Sequence, residues 1–176
     1  MRKHSPPLVA WYGYVAGAWL GGDEGPRIVA EAGGWTWTSR VEPEVHAWVR
    51  LPWRGVSAAP LPAELARLTP VDRRRGADVT WRVVTPAAGP GFFLVGDAAA
   101  VLDPAAAHGV IRGLLSGVMA GHLIAQAIHN PTGEMGAAHA YDRWLSEGFD
   151  RDVTRLRALY RALPEPPDWV GAGDQP

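Results

Sequence analysis

One acidic residue lies where a short apolar run meets a long helical segment. Asp97 follows the run Phe92–Val95 after one glycine, and small residues lead from it to Pro104. Gly109 then opens a stretch with helical periodicity, so the predicted order is strand, loop and helix N-terminus. In such a loop the Asp97 carboxylate can accept hydrogen bonds from hydroxyl groups. The N–H groups at the helix start can face an electron-rich ligand edge.

This segment resembles the second flavin-contacting motif of FAD-dependent monooxygenases, tryptophan halogenases and geranylgeranyl-reductase-like oxidoreductases. In that motif GDAA is followed by a proline and then by a glycine that starts a helix. The matching positions are Gly96, Asp97, Ala98, Ala99, Pro104 and Gly109. The resemblance implies that Asp97 binds the ribityl chain of FAD and that Pro104 to Val110 lies along the flavin edge. Cofactor binding is thereby assigned to Gly96, Asp97, Ala98, Pro104, Gly109 and Val110.

A second resemblance lies in the sequence GGWTWTSRV. It is similar to the Trp-x-Trp-x-Ile-Pro segment beside the substrate chamber of flavin-dependent halogenases, with Trp35 and Trp37 in the matching positions. Ser39 and Arg40 replace the expected Ile-Pro, which weakens the case for halogenase chemistry. Two residues apart on a strand, the indoles share a face and form a candidate substrate wall. Packing in the core or in a hairpin is the alternative.

The pyrophosphate-binding half of such a flavoenzyme is not found in this sequence. These enzymes begin with a βαβ unit whose GxGxxG turn seats the ADP pyrophosphate on a helix N-terminus, and no GxGxxG follows a predicted strand here. The halogenase-type catalytic lysine belongs to the same region, and Lys3 is the only lysine. The likeness, from Trp11 to Tyr160, implies a partial enzyme: truncated, half of a split enzyme, or degenerate. We therefore expect weak or no FAD binding by the isolated chain.

Two kinds of function remain open from the sequence. The first is a partial FAD-dependent oxidoreductase that acts on a small apolar or aromatic substrate and is completed by a separate N-terminal FAD-binding half. NAD(P)H or a separate flavin reductase would supply its electrons. The second is a non-enzymatic binding module, or a degenerate fragment, that holds an apolar ligand or a partner chain. The sequence assigns no catalytic residue.

The composition limits the class of protein. With 176 residues, of which 47% are apolar, the chain can form one ordinary domain. The net charge of −1 gives no basic face for nucleic acid, and the lack of cysteine excludes disulfides and thiolate metal sites. Near the N-terminus, interleaved aromatic residues and glycines favour a strand over a signal peptide and predict a cytoplasmic protein. The apolar part of Gly113–Ile128 is predicted to be too short for a membrane span.

The predicted fold class is α+β, with a mostly antiparallel sheet of five or six strands followed by helices. The expected strands are Trp11–Trp19, Arg27–Ala32, Trp35–Thr38, Val45–Arg50, Asp78–Val84 and Phe92–Val95. A turn over residues 21–26, a hairpin at Gly33-Gly34 and a loop over residues 52–62 separate them. The predicted divisions are a substrate-domain-like sheet (1–90), a flavin-contacting strand–loop–helix (91–130), a C-terminal helix (131–163) and a disordered tail (164–176).

Glycines recur at every fourth position along the helix that Gly109 opens, at Gly113, Gly117 and Gly121. Each interior glycine costs about 1 kcal/mol relative to alanine. The stripe therefore predicts close approach of this face to another backbone or to a flat ligand, with a chance run as the alternative. On this interpretation Gly117→Leu would unfold the protein or block its partner.

A final long helix is predicted from Glu134 to Leu163, after Asn130-Pro131 ends the preceding one. Its apolar positions follow helical spacing at Tyr141, Leu145, Phe149, Val153, Leu156 and Tyr160. This stripe predicts a face that packs on the core, with a dimer or partner-helix surface as the alternative.

Other polar residues give weaker candidates. His122 and His129 share a helix face, but no HExxH or tight cluster accompanies them, so helix packing is favoured over a metal site. Asp97 and Asp103 would be a general acid–base pair in a hydrolase, although Asp103 before a proline also fits a turn or cap. His108 either caps the helix or lies near a flavin edge, where it can donate to developing negative charge.

Overall fold

The structure, a computed structural model, describes residues 1–19, 25–31, 33–54 and 60–171. The strands in chain order are β1 (Arg2–Lys3), β2 (Val9–Ala16), β3 (Arg27–Glu31), β4 (Gly34–Glu42), β5 (Val45–Pro52), β6 (Thr69–Pro70), β7 (Arg75–Asp78), β8 (Arg82–Val83), β9 (Ala88–Gly89), β10 (Phe92–Phe93) and β11 (Ala100–Val101). The long helices are α1 (Gly109–His129) and α2 (Glu134–Arg161). Residues 21–24 of the predicted turn and residues 55–59 of the predicted loop lie outside the described residues.

The chain folds as two compact units and passes between them more than once. The helical unit contains Met1–Pro6 and Thr80–Arg161, and the sheet unit contains Pro7–Val79 with the chain after Arg161. This division differs from a boundary near residue 90, because β8 pairs with β1 and β11 of the helical unit. The helical unit therefore holds the whole GDAA segment and both long helices.

The sheet unit is a six-stranded antiparallel sheet in the order β3-β4-β5-β2-β6, with β7 also paired to β2. The antiparallel sheet and the α+β class are thus as predicted. Val15, Trp48 and Leu65 form a core cluster of this unit. The side chains of Trp48 and Val15 share one face of the sheet because their strands pair in register.

The hairpin between β3 and β4 forms at the predicted glycines. Gly33 has φ +84°, which favours glycine, and its space is open. An added Cβ on Gly34 would lie 2.5 Å from the Leu51 carbonyl oxygen. The neighbouring strand β5 therefore approaches too closely for any side chain at Gly34.

Two predicted strands differ from the structure. The strand predicted over Asp78–Val84 is divided, since β7 ends in the sheet unit and β8 lies in the helical unit. The strand predicted over Phe92–Val95 is only β10, which forms a short antiparallel hairpin with β9. Phe92 and Val95 are exposed, so this run is not buried. An apolar run indicates burial only if neighbouring elements cover it, and the described chain leaves its outer side open.

Helix α1 begins at Gly109 and ends before Asn130, as predicted, but most of its large apolar residues are exposed. These are Val110, Ile111, Leu114, Leu115, Val118, Ile124 and Ile128. By length and composition alone α1 could cross a membrane, although its apolar part is expected from the sequence to be too short for a span. Core helices of soluble proteins pass the same test. Thus α1 has the composition of a buried helix and, in the described chain, a largely uncovered surface.

The glycine stripe of α1 has open space in front of it. An added Cβ at Gly109, Gly113, Gly117 or Gly121 would meet nothing within 4 Å. The Cβ positions of the stripe are therefore not filled by this chain. Of the two predicted effects of Gly117→Leu, unfolding or a blocked partner, the open space favours the second. The space remains available to a flat ligand or to another chain.

Helix α2 carries its predicted apolar stripe on the buried side. It ends at Arg161 rather than at Leu163. Residues 164–171 belong to the tail that is predicted to be disordered, yet they have a defined structure. A 3-10 turn spans Asp168–Val170, Val170 is 1% exposed, and Asp168 pairs with Arg54. The buried valine explains the order, because a single well-packed apolar side chain can anchor a short segment.

Candidate functional site

The GDAA segment is linked to helix α1 by a hydrogen bond to a buried hydroxyl group. Gly96 begins a 3-10 turn that ends at Ala98, and its N–H donates to Ser116 Oγ at 2.9 Å. Ser116 is fully buried, and its hydroxyl donates to the Gly113 carbonyl at 3.0 Å. Gly96 has φ +57°, and an added Cβ would lie 3.6 Å from Gly113 Cα. Glycine therefore supplies the left-handed backbone that this turn requires.

Asp97 presents an open carboxylate on this turn. Its side chain is exposed, and no hydrogen-bond donor of the described chain is bound to it. Ala98 is also exposed, whereas Ala99 and Ala100 are buried beneath the turn. The Asp97 carboxylate of the motif thus faces outward, while the small side chains of Ala99 and Ala100 pack beneath it. This is the arrangement that a carboxylate acceptor for ligand hydroxyl groups needs.

Asp103, six positions later, has the opposite environment. It is 1% exposed, and its Oδ2 accepts from Trp81 Nε1 at 2.7 Å and from the Tyr160 hydroxyl at 2.8 Å. Its Oδ1 accepts from the N–H of Ala105 at 3.0 Å, which caps the 3-10 turn Pro104–Ala106. Burial raises the pKa of Asp103 to about 6, although the three hydrogen bonds oppose the rise. Asp103 is therefore a cap and core residue, and it does not share an open acid–base site with Asp97.

The N-terminus of α1 is open to a ligand. Ala107 has φ 53°, and His108 occupies the N-cap position without a side-chain cap hydrogen bond. The first turn of α1 carries no acidic residue, and Val110 is 82% exposed. The first N–H groups of a helix have no partner within it. These N–H groups are therefore the donors that the predicted contact of segment 104–110 with a ligand edge would use.

His108 does not cap the helix with its side chain, which removes one of its two predicted roles. Its Nδ1 lies 4.0 Å from Asp152 Oδ1 on α2. The same carboxylate forms an ion pair with Arg112 at 2.6 Å. Asp152 thus connects α2 to the first turns of α1.

An apolar groove lies between the β9–β10 hairpin and the part of α1 that carries Gly117 and Gly121. Its volume is about 620 Å³. Its lining includes Phe92, Phe93, Val95, Gly117, Gly121 and Ile124. The absence of side chains on the glycines makes the helix wall flat here.

Sequence reasoning missed three polar residues that organise the site, namely Ser116, Tyr141 and Tyr160. The Tyr141 hydroxyl donates to the Leu94 carbonyl at 2.6 Å, and burial raises the pKa of this phenol. Both tyrosines lie on the predicted apolar stripe of α2. A buried phenol usually finds a hydrogen-bond partner, so their position on that stripe was the available signal. The partners themselves come from distant parts of the chain and could not be identified from spacing.

The candidate substrate wall lies in the sheet unit. Trp35 and Trp37 share one face of β4, as predicted. Trp35 is 3% exposed, whereas Trp37 is partly exposed. The exposed surface available to a ligand therefore belongs mainly to Trp37 and to its cross-strand neighbour Ile28, which is 57% exposed.

His122 makes a contact on the surface of α1. His122 Nε2 lies 3.0 Å from the side-chain nitrogen of Gln126, one turn away. Among the described residues, no group of three or more histidine or acidic side chains is placed to hold a metal ion.

No protein-family model matches the sequence, and no curated protein matches it. Solved structures do match. The flavin-dependent halogenase CmlS has a TM-score of 0.78 at 17% identity, over 97% of this chain and 35% of its own. The peptidyl tryptophan dihydroxylase QhpG, essential for tryptophylquinone cofactor biogenesis, has a TM-score of 0.74 at 19% identity. The match covers 94% of this chain and 43% of QhpG. The myxobacterial chondrochloren halogenase CndH, an FAD-dependent enzyme, has a TM-score of 0.66 at 20% identity. The match covers 87% of this chain and 41% of CndH.

These similarities establish the fold. The described chain has the α+β fold of a part of flavin-dependent halogenases and related FAD-dependent enzymes, and the resemblance seen in the sequence is confirmed at that level. The chain spans 35% to 43% of the length of these three structures.

Proposed function

We propose that this chain, which has the fold of part of a flavin-dependent halogenase or monooxygenase, supplies the ring-edge half of an FAD site and the substrate sheet of an oxidoreductase. The remaining half, which would bind the pyrophosphate, comes from another segment or another polypeptide. The flavin supplies the redox chemistry when it is bound. The contribution of this chain is to bind and orient the cofactor and to shape the substrate site.

The observation that carries the proposal is the open Asp97 carboxylate on a turn fastened to α1, followed by an uncapped helix N-terminus. Because no donor of the described chain is bound to the Asp97 carboxylate, it can accept hydrogen bonds from the hydroxyl groups of a ribityl chain. Free helix N–H groups suit the electron-rich edge of a flavin ring. The alanines between Pro104 and His108 leave room for a flat ring to approach. The donors and acceptors present therefore fit the group.

The partner in this proposal is a separate N-terminal FAD-binding half, which docks on the exposed apolar face of α1. That face has the composition of a helix that is buried in a complete protein. The similar structures contain more than half of their length beyond the matched part, which is enough chain for a βαβ unit. A cytoplasmic location fits such a two-part enzyme.

The proposed substrate is a small apolar or aromatic compound. Trp37, with the more deeply buried Trp35 behind it on the same face of β4, offers an indole surface for it. Electrons reach the flavin from NAD(P)H or from a separate flavin reductase. Hydroxylation, halogenation and reduction share these requirements.

The first test compares riboflavin, FMN and FAD as ligands of the isolated chain by flavin fluorescence. We expect weak binding that does not distinguish the three, because the chain contacts only the ribityl and ring-edge parts. FAD binding more than about tenfold tighter than riboflavin binding would mean that the chain also holds the pyrophosphate. Stoichiometric FAD in the purified chain would contradict the half-site as well.

The deciding test restores the missing half. In a fusion protein, this chain replaces the segment of CmlS that it matches. Circular dichroism first shows which fusions are folded, and the absorbance of bound FAD is then measured in those. Asp97→Asn should weaken FAD binding roughly tenfold, as expected for the loss of hydrogen bonds to a charged group. Glu147→Gln, an exposed acid on α2, serves as the matched control. A folded fusion without FAD, or equal effects of the two variants, would overturn the proposal.

A second candidate, an apolar binding module, is favoured by the groove beside the glycine stripe. It predicts that an aromatic probe such as 1-anilinonaphthalene-8-sulfonate binds the isolated chain stoichiometrically and that Gly117→Leu abolishes this. The flavin proposal predicts instead that Asp97→Asn affects ligand binding and that Gly117→Leu blocks docking of the other half.

A further inference from the structure

We infer that Asp103, held by Trp81 and Tyr160, is a positioning residue that fixes segment 104–109 to the C-terminal end of α2. These three side chains form the Asp103 cluster. The indole and the phenol both donate to Asp103 Oδ2, and the N–H of Ala105 donates to Oδ1. All three side chains are at most 1% exposed. Three separate stretches of the helical unit therefore meet at one carboxyl group.

The cluster is the main hydrogen-bonded tie between this segment and the rest of the unit. The other hydrogen bonds of residues 103–108 in the described chain are local, such as Ala106 N–H to the Asp103 carbonyl and Ala107 N–H to the Pro104 carbonyl. Trp81 and Tyr160 also stack, with ring centroids 5.7 Å apart and planes 26° from parallel. The stacked rings keep both donors directed at the same oxygen. Truncation of the Tyr160 side chain should therefore destabilise the backbone of the segment before α1.

The segment needs a tertiary contact because one of its residues has an unfavourable backbone conformation. Ala107 has φ 53°, a conformation that a residue with a Cβ adopts only when its surroundings enforce it. Asp103 fixes the turn immediately before this residue, and α1 begins immediately after His108. The inference stands on these contacts alone. Its consequence for cofactor binding rests on the proposed function, in which segment 104–109 lies along the flavin edge.

Hydrogen exchange of backbone amides in the isolated chain, without flavin, tests the tie. Tyr160→Phe removes one hydroxyl donor to Asp103. Tyr141→Phe is the matched control, because this buried tyrosine of α2 also donates a single hydroxyl hydrogen bond to a loop, at Leu94. We expect Tyr160→Phe to speed exchange at Ala105 to Ala107 by about tenfold or more, and to leave the amide of Gly96 unchanged.

The control should give the reverse pattern. Tyr141→Phe should speed exchange near Leu94 and Gly96, and should leave Ala105 to Ala107 unchanged. Faster exchange in both segments with either variant would mean that the tyrosines only stabilise the unit as a whole. No change at Ala105 to Ala107 in Tyr160→Phe would overturn the inference directly.

A spectroscopic readout separates positioning by the carboxylate from simple packing. The indole N–H resonance of Trp81, identified by its loss in Trp81→Phe, should shift as Asp103 titrates, and Asp103→Asn should abolish the shift. A Trp81 resonance that still titrates in Asp103→Asn would contradict the cluster. If the exchange and resonance results hold while the fusion with CmlS binds no FAD, the cluster is real and the proposed function is wrong. If the fusion binds FAD and Tyr160→Phe does not weaken it, the tie has no role at the cofactor.

Discussion

At the scale of single residues, Asp97 and Asp103 show how one side-chain type serves two purposes within one loop. Asp97 is exposed and has no donor from the described chain, so its acceptor capacity remains for a ligand. Asp103 is buried and its oxygens are used by Trp81, Tyr160 and Ala105. Removing a charge from water is unfavourable, and the pKa of Asp103 is therefore raised to about 6. Only the outward acid can contact a ligand directly.

The raised pKa predicts how stability depends on pH. Between 3.8, the ordinary value, and about 6, folded Asp103 keeps a proton that the unfolded chain releases. The free energy of unfolding should therefore fall as pH rises through this range, by on the order of 3 kcal/mol, and then level off. Urea unfolding between pH 4 and 7 measures the effect. Asp103→Asn should lose this contribution and the exposed-residue control Asp150→Asn should keep it; an unchanged pH slope in Asp103→Asn would refute the assignment.

At the scale of elements, α1 combines two features that are unfavourable in a free helix. It carries three interior glycines, and most of its large apolar side chains are exposed. Glycine weakens a helix because the unfolded chain has more freedom to lose. In the described chain the Gly96 turn approaches Gly113, whereas an added Cβ at Gly117 or Gly121 would meet nothing within 4 Å. Both features become understandable if the flat apolar face of α1 receives another chain or a flat ligand.

The open space at Gly117 gives a prediction opposite in sign to that for a buried glycine. Gly117→Ala should raise the free energy of unfolding by about 1 kcal/mol, because alanine favours the helix and nothing stands in its way. Gly117→Leu should also fold, yet it should block the groove that Gly117 lines. Chemical denaturation and a dye-binding titration check the two parts. A loss of stability in Gly117→Ala would show that this face is already packed.

The hairpin glycines give the contrasting case in the sheet. Gly34→Ala should destabilise the protein by about 1–3 kcal/mol, because its Cβ would lie 2.5 Å from the Leu51 carbonyl oxygen. Gly33→Asn is the control, since asparagine tolerates a positive φ and the space at Gly33 is open. Thermal unfolding compares the two. Equal melting temperatures would show that β4 and β5 can separate there without loss.

At the scale of the whole molecule, the helical unit has an exposed apolar face on α1. Val110 is 82% exposed and Val118 72%. Large exposed apolar patches mark surfaces at which proteins associate. This chain covers 35% of the length of CmlS and 43% of the length of QhpG. The isolated chain should consequently associate through this face when no partner is present.

Surface substitutions test that association. Leu114→Gln combined with Val118→Glu should shift the chain towards monomer in sedimentation experiments, with little change in melting temperature, because both side chains are exposed. Val71→Glu places the same charge on an exposed valine of the sheet unit as a control. Association that persists in the double variant and disappears in Val71→Glu would place the contact elsewhere.

Several elements could be predicted because their cause is local. The antiparallel strands β2 to β5, the Gly33-Gly34 hairpin and both long helices follow from alternation, helical spacing and turn residues. Burial of apolar runs was less predictable. The run at Phe92 and the stripe of α1 have core-like composition, yet they are exposed, because burial depends on what lies opposite rather than on the run itself.

The sequence by itself determined the α+β class, the position of Gly96 and Asp97 between strand and helix, and the likeness to flavin enzymes, because each depends on residues close together in the chain. Only the tertiary structure decided that Asp97 is open and Asp103 closed, that Ser116 fastens the turn, and that Tyr160 reaches a loop far from it in sequence. These facts depend on hydrogen-bond partners brought together by folding. Their donors and acceptors are distant in the chain, so no spacing rule encodes them.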